Sequence, residues 1–400
     1  MSTIMTVRGP VSADVIQPGI LFHQRVLEKE HVAVVDMDIP IEMLMRVREH
    51  PTEMGNLVLS HEDRAFRELE RAAGTSVNCV VDIHATKGRR DLARLRRLAA
   101  QLDMHILAST CLDDDDTALA GRSAEMLAKQ LVLELQFGIE EGFTPPIQAS
   151  VIYQTVNLAA INWTFMDAIG QAQRTTHAPV YIHLDPFPTS CASLDAVEAF
   201  LMRYATLGEL DRVVVCHCDL WCRAPARLDA LLQALPGVYL SFDLLGLYAV
   251  SDHLPFPSSS SQDGPPRDAD IVSCLVQLLA MNPAHAVRLL VTSTVSQTIQ
   301  YTRHGGGGMT HALTSGRARL AAAGVTADQW NAMTNPLSLL QCYTPPPPAE
   351  LPKDYLVCSI CARPFEPIVG EYFTKFAFVY CSTKCLRKHR IAGFGPLPSS

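Results

Sequence analysis

The apolar positions along the chain fall into short runs, each followed by a longer segment with helical spacing. Runs rich in β-branched and aromatic residues and bounded by turn formers read as strands. They are GILFH (19–23), NCVVDIH (78–84), MHILAST (104–110), ASVIYQ (149–154), APVYIHLD (178–185), RVVVCHCD (212–219), VYLSFD (238–243) and VRLLVTST (287–294). Between them, GRRDLARLRRLAAQLD (88–103) sets Leu92, Leu95, Leu98 and Leu102 three or four apart, on one face of a helix. LDAVEAFLMRYATLG and RLDALLQALPG carry the same period. Strands alternating with helices predict an α/β fold, and eight is the number that closes a (β/α)8 TIM barrel. Such a barrel takes about 250 residues or more, so a chain of 400 also has room for a small C-terminal domain.

The ends of these runs are polar: His23, Asp82 and His84, Ser109, Gln154, His183, His217, Asp243 and Thr294. In a (β/α)8 barrel the C-terminal strand ends converge on one mouth, where sites are built. Three strands ending in histidine point to a shared site, because imidazole is the usual ligand of borderline metals. Side chains alternate along a strand. With His217 facing the mouth, Cys216 and Cys218 are therefore expected to face away, as small buried thiols.

Composition narrows the class. The chain is 48% apolar with a formal net charge of −8, which gives no general pull toward nucleic acid or an anionic membrane. No apolar stretch approaches the roughly 20 residues needed to span a bilayer. The opening MSTIMTVRGP lacks a basic segment followed by an apolar run. The expectation is a cytoplasmic protein whose cysteines are reduced thiols or metal ligands. CLDDDDT (111–117) reads as a solvated acidic loop and PFPSSSSQDGPPRD (255–268) as a disordered insertion. HGGGG (304–308) lacks the helix context of a phosphate-binding loop.

From about residue 6 to 342 the chain resembles the phosphotriesterase-related proteins of the amidohydrolase superfamily. The resemblance rests on TVRGPV followed by GILFH, on PVYIHLD and RVVVCHCD, on YLSFDLLGLYAVS (239–251) and on the long block HGGGGMTHALTSGRARLAAAGVTADQWNAMTNPLSLL (304–340). It implies a barrel holding two divalent metals, usually zinc. An HxH pair ends the first strand, a carboxylate bridges from the fourth, single histidines end the fifth and sixth, and an aspartate ending the eighth shuttles a proton. Carried across, His23 is kept but Arg25 stands at the second histidine. The bridging position falls on Gln154, or on Tyr153 in the alternative register. His183 and His217 match the single histidines, and Thr294 takes the aspartate's place, where a general base would be.

Every anionic ligand of the implied pair is thus replaced. Arginine stays protonated and has no lone pair to donate, and a threonine hydroxyl is no general base near neutral pH. The expectation is a degraded binuclear site in a non-catalytic binding or assembly protein, a pseudoenzyme. The alternative is a single-zinc hydrolase of ester or amide bonds that uses His23, His183 and His217. Arg25 is expected to meet a small anionic ligand or an acid, Asp243 before Asp82, in a pocket that includes Tyr153, Gln154 and Thr294.

The segment after TPPPPAELP, a stiff linker over 343–354, is foreign to the barrel family. Cys358 and Cys361 form a CxxC turn, and Cys381 and Cys385 open a basic helical stretch. This pattern resembles a treble-clef zinc finger over 355–392, with a tail over 393–400. Four thiolates suit tetrahedral structural zinc, and so small a segment needs the ion to fold. His389 is the substitute ligand. Such a finger is expected to bind a protein partner rather than nucleic acid.

Overall fold

The computed structural model of the chain describes residues 3–17, 19–29, 38–75, 77–84, 87–113, 116–140, 143, 145–184, 193–247, 266–341, 355–360, 364–368, 370, 372–375 and 378–391. The linker, the tail, Cys361, Asp114, Asp115 and residues 255–265 of the Ser-rich stretch lie outside the described residues.

An antiparallel hairpin, β1 (Thr3–Thr6) and β2 (Gly9–Ser12), precedes the barrel strands. These are β3 (Leu21–Gln24), β4 (Cys79–Asp82), β5 (His105–Thr110), β6 (Ala149–Val156), β7 (Val180–Leu184), β8 (Val213–Val215), β9 (Tyr239–Phe242) and β10 (Leu289–Val291). They pair in parallel in sequence order from β3 to β10. Each of the eight predicted runs overlaps one of them; β3 ends one residue past its run, at Gln24, and β6 two past, at Val156.

The helices are α1 (Leu44–Glu49), α2 (Glu62–Ala73), α3 (Leu92–Gln101), α4 (Ala124–Gln136), α5 (Trp163–Thr176), α6 (Leu194–Tyr204), α7 (Pro225–Ala234), α8 (Asp268–Met281), α9 (Arg317–Ala322), α10 (Ala327–Thr334) and α11 (Leu337–Gln341). Helix α3 shows why they form where they do. Asp91 caps it by accepting the Arg94 N–H at 3.0 Å, and Leu92, Leu95, Leu98 and Ala99 are buried. An aspartate at that position satisfies one of the four free N–H groups of the first turn.

Two layers of core follow. The outer one lies between helices and strands and includes Leu95, Ala108, Ile152, Ile182, Val215 and Leu240. The inner one fills the lumen with Phe22, Val81, Leu107, Val151, Tyr181, Val214 and Leu290. It continues through Ile4 of the first hairpin to Leu339 and Leu340 of α11.

Closure is made by side chains. Among the described residues no backbone hydrogen bond joins β3 to β10. Instead the Gln24 amide donates to the Ser293 carbonyl and accepts the Val295 N–H at 3.3 Å, while the Thr294 hydroxyl donates to the His23 carbonyl at 2.7 Å.

The C-terminal domain has two small hairpins and a helix. Strands β11 (Leu356–Val357) and β12 (Pro364–Phe365) pair, β13 (Phe373–Lys375) pairs with β14 (Phe378–Tyr380), and α12 (Thr383–Ile391) follows. Its buried centre is Cys358, Tyr380 and Cys385, flanked by Phe365, Phe373 and Leu386.

Gln24→Leu keeps the volume but leaves the Ser293 carbonyl and the Val295 N–H without their closing partner. It should lower the unfolding free energy by about 1–3 kcal/mol, measured by urea denaturation of the full chain.

Candidate metal centre at the barrel mouth

The site rests on three histidines, one carboxylate and one hydroxyl. His23 is on β3, whose pairing to β4 shifts register between Leu21 and Gln24. Phe22 can therefore fill the lumen while the very next residue reaches the mouth. His183 is on β7, and His217 follows β8. Ring centroids are 4.3 Å apart for His183–His217, 5.4 Å for His23–His217 and 6.1 Å for His23–His183. One nitrogen from each can be chosen so that all three lie within 4.8 Å of one another.

Hydrogen bonds fix which nitrogens are free. The Asp243 carboxylate accepts the His217 Nδ1–H at 2.7 Å, the His217 main-chain N–H at 3.1 Å and the Ser241 hydroxyl at 2.8 Å. Nε2 of His217 and Nδ1 of His183 share a hydrogen bond at 2.7 Å, which leaves Nε2 as the other ring nitrogen of His183. The Thr294 hydroxyl gives its proton to the His23 carbonyl, so it accepts Nδ1–H of His23 at 2.7 Å. Nε2 of His23 is buried and without a hydrogen-bond partner. A lone pair buried without a donor is costly in a purely structural histidine but is what a metal ligand presents. The outer partners, Asp243 and Thr294, set tautomer and orientation as ligand-supporting groups do.

Electrostatics follow the same geometry. Burial, and then the neighbouring rings, hold His183 well below its ordinary value. Burial lowers His23 to about 4 against the pull of Asp243. Two carboxyls meet beneath the site, since Asp219 accepts the main-chain N–H groups of Asp243 and Leu244 at 2.9 and 3.3 Å. Burial and the Asp243 charge push Asp219 up. Burial opposes ionisation of Asp243 as well, but His217 and His23 hold it low, so the negative charge sits on Asp243.

Several expectations are corrected here. Asp243 does not meet Arg25; it is taken by His217. Arg25 instead pairs with Glu28, with longer contacts to the Ser296 and Leu57 carbonyls at 3.4 and 3.5 Å, and its side chain stays 26% exposed. Gln154 is not a pocket group, because its amide is satisfied by both backbone groups of Leu112, at 3.1 and 3.0 Å. Tyr153 faces the histidines, 5.4 Å from His183 and 5.7 Å from His23 between centroids. Burial raises its pKa well above the ordinary value, so it supplies no anion.

Cys216 also points inward. It belongs to the lumen core, its thiol within 4.8 Å of ligand atoms of His23 and Asp243. The cause is local: His217 has φ 60° and ψ 33°, a left-handed residue that ends strict alternation and turns a second consecutive side chain toward the mouth. Cys218 lies in the outer core, as expected.

In the C-terminal domain the thiols of Cys358, Cys381 and Cys385 lie within 4.8 Å of one another, with Cys381 and Cys385 at 3.8 Å. The expected fourth ligand, Cys361, lies outside the described residues. His389 is held by the Tyr380 hydroxyl at 2.9 Å and packs edge-on against Phe378.

With this geometry in place, residues 4–339 match the profile of the phosphotriesterase family. The chain belongs to that family. Residues 353–397 match the Vms1-associating treble clef domain, so the barrel carries a treble clef at its C-terminal side. The chain is similar to N-acetyltaurine hydrolases from Bos taurus, 23% identical over 74% of this chain and 82% of that one, and from Danio rerio, 25% identical over 72% and 81%. Among solved structures, a resiniferatoxin-binding protein from Rhodobacter sphaeroides superposes with a TM-score of 0.67 at 22% identity, covering 85% of this chain and 95% of that one. The phosphotriesterase homology protein from Escherichia coli, solved with phosphate in its active site, gives 0.62 at 17% identity, covering 81% and 98%. These two likenesses show the fold. No helix among the described residues is long and apolar enough to cross a membrane.

The lowered His23 pKa has a pH consequence. Between the ordinary value of 6.5 and about 4 the unfolded chain takes up a proton that folded His23 refuses. Stability of the metal-stripped protein should therefore fall as pH drops through that window. His23 alone contributes on the order of 3 kcal/mol. Denaturation at a series of pH values checks this, and His23→Asn should flatten the slope.

Proposed function

We propose that the barrel is a metal-dependent hydrolase of an ester or amide bond that works with one divalent ion. The reading rests on one observation: His23, His183 and His217 bring ligand nitrogens within 4.8 Å of one another, with Nε2 of His23 buried and unpartnered. The residues fit one ion and not two. Tyr153 and Thr294 stand where the family resemblance places two of the anionic ligands, and Arg25 stands at a histidine position. A bound ion of this kind polarises a carbonyl and lowers the pKa of water.

The chain's own groups prepare for it. Asp243 holds His217 through Nδ1 and places one buried negative charge beside the ligand set. That charge offsets part of an ion's +2. Thr294 holds His23. The His183–His217 hydrogen bond closes the set, and an ion taking Nε2 of His217 replaces it. Relatives in the family hydrolyse N-acetyltaurine, which supports an N-acyl amide as the substrate class.

The second reading, a non-catalytic barrel, is favoured by Tyr153 and Thr294, neither of which is a base near neutral pH. In both readings the treble clef binds structural zinc through Cys358, Cys361, Cys381 and Cys385 and docks the protein onto a Vms1-type partner, as the domain's name denotes.

Metal analysis of the full chain should give two ions, one in each domain. His183→Ala should leave one ion and abolish amide or ester turnover. One ion in the wild-type protein, unaffected by His183→Ala, would instead select the non-catalytic barrel. A strong chelator should unfold the treble clef, seen as loss of tertiary signal from Tyr380 and of binding to a Vms1-type partner, because its small core cannot stand without the ion.

A further inference from the structure

The β4–α3 connection at the barrel mouth carries a group of buried polar atoms that no protein group satisfies. Arg90 is 0% exposed, and none of its three guanidinium nitrogens has a hydrogen-bond partner. On the same connection Nε2 of His84 and Oδ2 of Asp82 are also buried without hydrogen bonds, 3.5 Å from each other. A buried guanidinium without acceptors costs several kcal/mol, and native folds do not keep one without a reason.

Its neighbours do not supply the missing acceptor. The charges of Arg25, Arg90 and Arg89 all reach His84, and those of Arg90 and Arg25 reach Asp82. Against these three arginines stand two acids. Glu28 is taken by Arg25, with Arg89 at 3.9 Å. Asp82 Oδ1 accepts the Val26 N–H at 2.9 Å, and burial raises the carboxyl to about 7. Arg90 is the charge left over. The group adjoins the histidines, for Arg25 lies two residues beyond His23 and its charge also bears on Tyr153 and His183.

We propose that Arg90, with His84, binds the anionic end of the substrate, a single-charged carboxylate or sulfonate, and so holds the scissile acyl bond toward the histidine cluster. One uncompensated charge calls for a monoanion rather than a phosphate dianion. A planar guanidinium grips two oxygens of such a group at once. Asp82 Oδ2, buried and without a hydrogen bond, accepts a donor on the ligand or carries its own proton. This rests on the hydrolase reading for its substrate and on Arg90 alone for its binding site.

The test is calorimetric titration of the full chain, in chelator and again with zinc, using acetate, methanesulfonate and inorganic phosphate as probes. Acetate or methanesulfonate should bind in both conditions, and phosphate more weakly. Preference between the first two tells carboxylate from sulfonate. Arg90→Met, close in volume, should weaken binding by about tenfold or more, and Arg90→Lys should recover part of it. In buffer free of these anions Arg90→Met should melt no lower than wild type, because it removes an unpaired buried charge. Undiminished binding by Arg90→Met, or a lower melting temperature in anion-free buffer, overturns the proposal and makes Arg90 a structural residue. Binding that survives in chelator while the barrel takes up no zinc supports the anion site and defeats only the hydrolase reading.

Discussion

A buried ionised carboxylate organises the mouth of this barrel. Asp243 lies at the end of β9 with no exposure, and its two oxygens accept from the ring and main chain of His217 and from Ser241. Such a charge is tolerable only when it is surrounded by donors. Meeting that demand fixes the ring of His217, and through it the ring of His183. The left-handed backbone at His217 belongs to the same arrangement, since its main-chain N–H is one of the donors. Asp219 adds the lower tier by gripping the Asp243 main chain. The carboxylate's own hydrogen bonding and the placing of the histidine rings are therefore not separable here, and substitution of Asp243 disturbs both together.

Much of the architecture was legible in the sequence because parallel strands buried on both faces read as plain β-branched runs. Every barrel strand overlaps its predicted run, with β3 and β6 extending one and two residues past theirs, and the three histidines do converge. The errors have local causes. RVVVCHCD gave a strand as far as 219, but β8 stops at Val215 because the chain turns at His217, and that turn is also why Cys216 faces inward. No spacing rule reveals a left-handed residue that is not glycine. Gln154 and Tyr153 were left open by sequence and were separated only by the backbone of Leu112, which claims the Gln154 amide. Arg25 was expected to seek the nearest acid on a strand end, yet Glu28, three residues on, was available. Arg90 carried no readable mark. In GRRDLARL it looks like an ordinary basic residue at a helix start, and only burial distinguishes it.

The substitutions also form a consistent set. Replacing acids by Tyr153 and Thr294 removes negative charge from the mouth, and Arg25 adds positive charge that Glu28 absorbs. Among the described residues Asp243 is the carboxylate that hydrogen-bonds a ring of the histidine cluster. On the one-ion reading, that one carboxylate offsets a single divalent ion better than it would two.

The way the barrel is closed has a mechanical side. Elsewhere, breaking the wall means unzipping a ladder of main-chain bonds, but between β3 and β10 a few rotatable side chains hold the edges. That line is a hinge in waiting. The Gln24 and Thr294 side chains hold the first strand to the last, while each strand keeps its main-chain ladder to its other neighbour. His23 sits on one lip and takes its hydrogen bond from the other. The side-chain seam of the cylinder and the orientation of an imidazole therefore depend on the same few atoms.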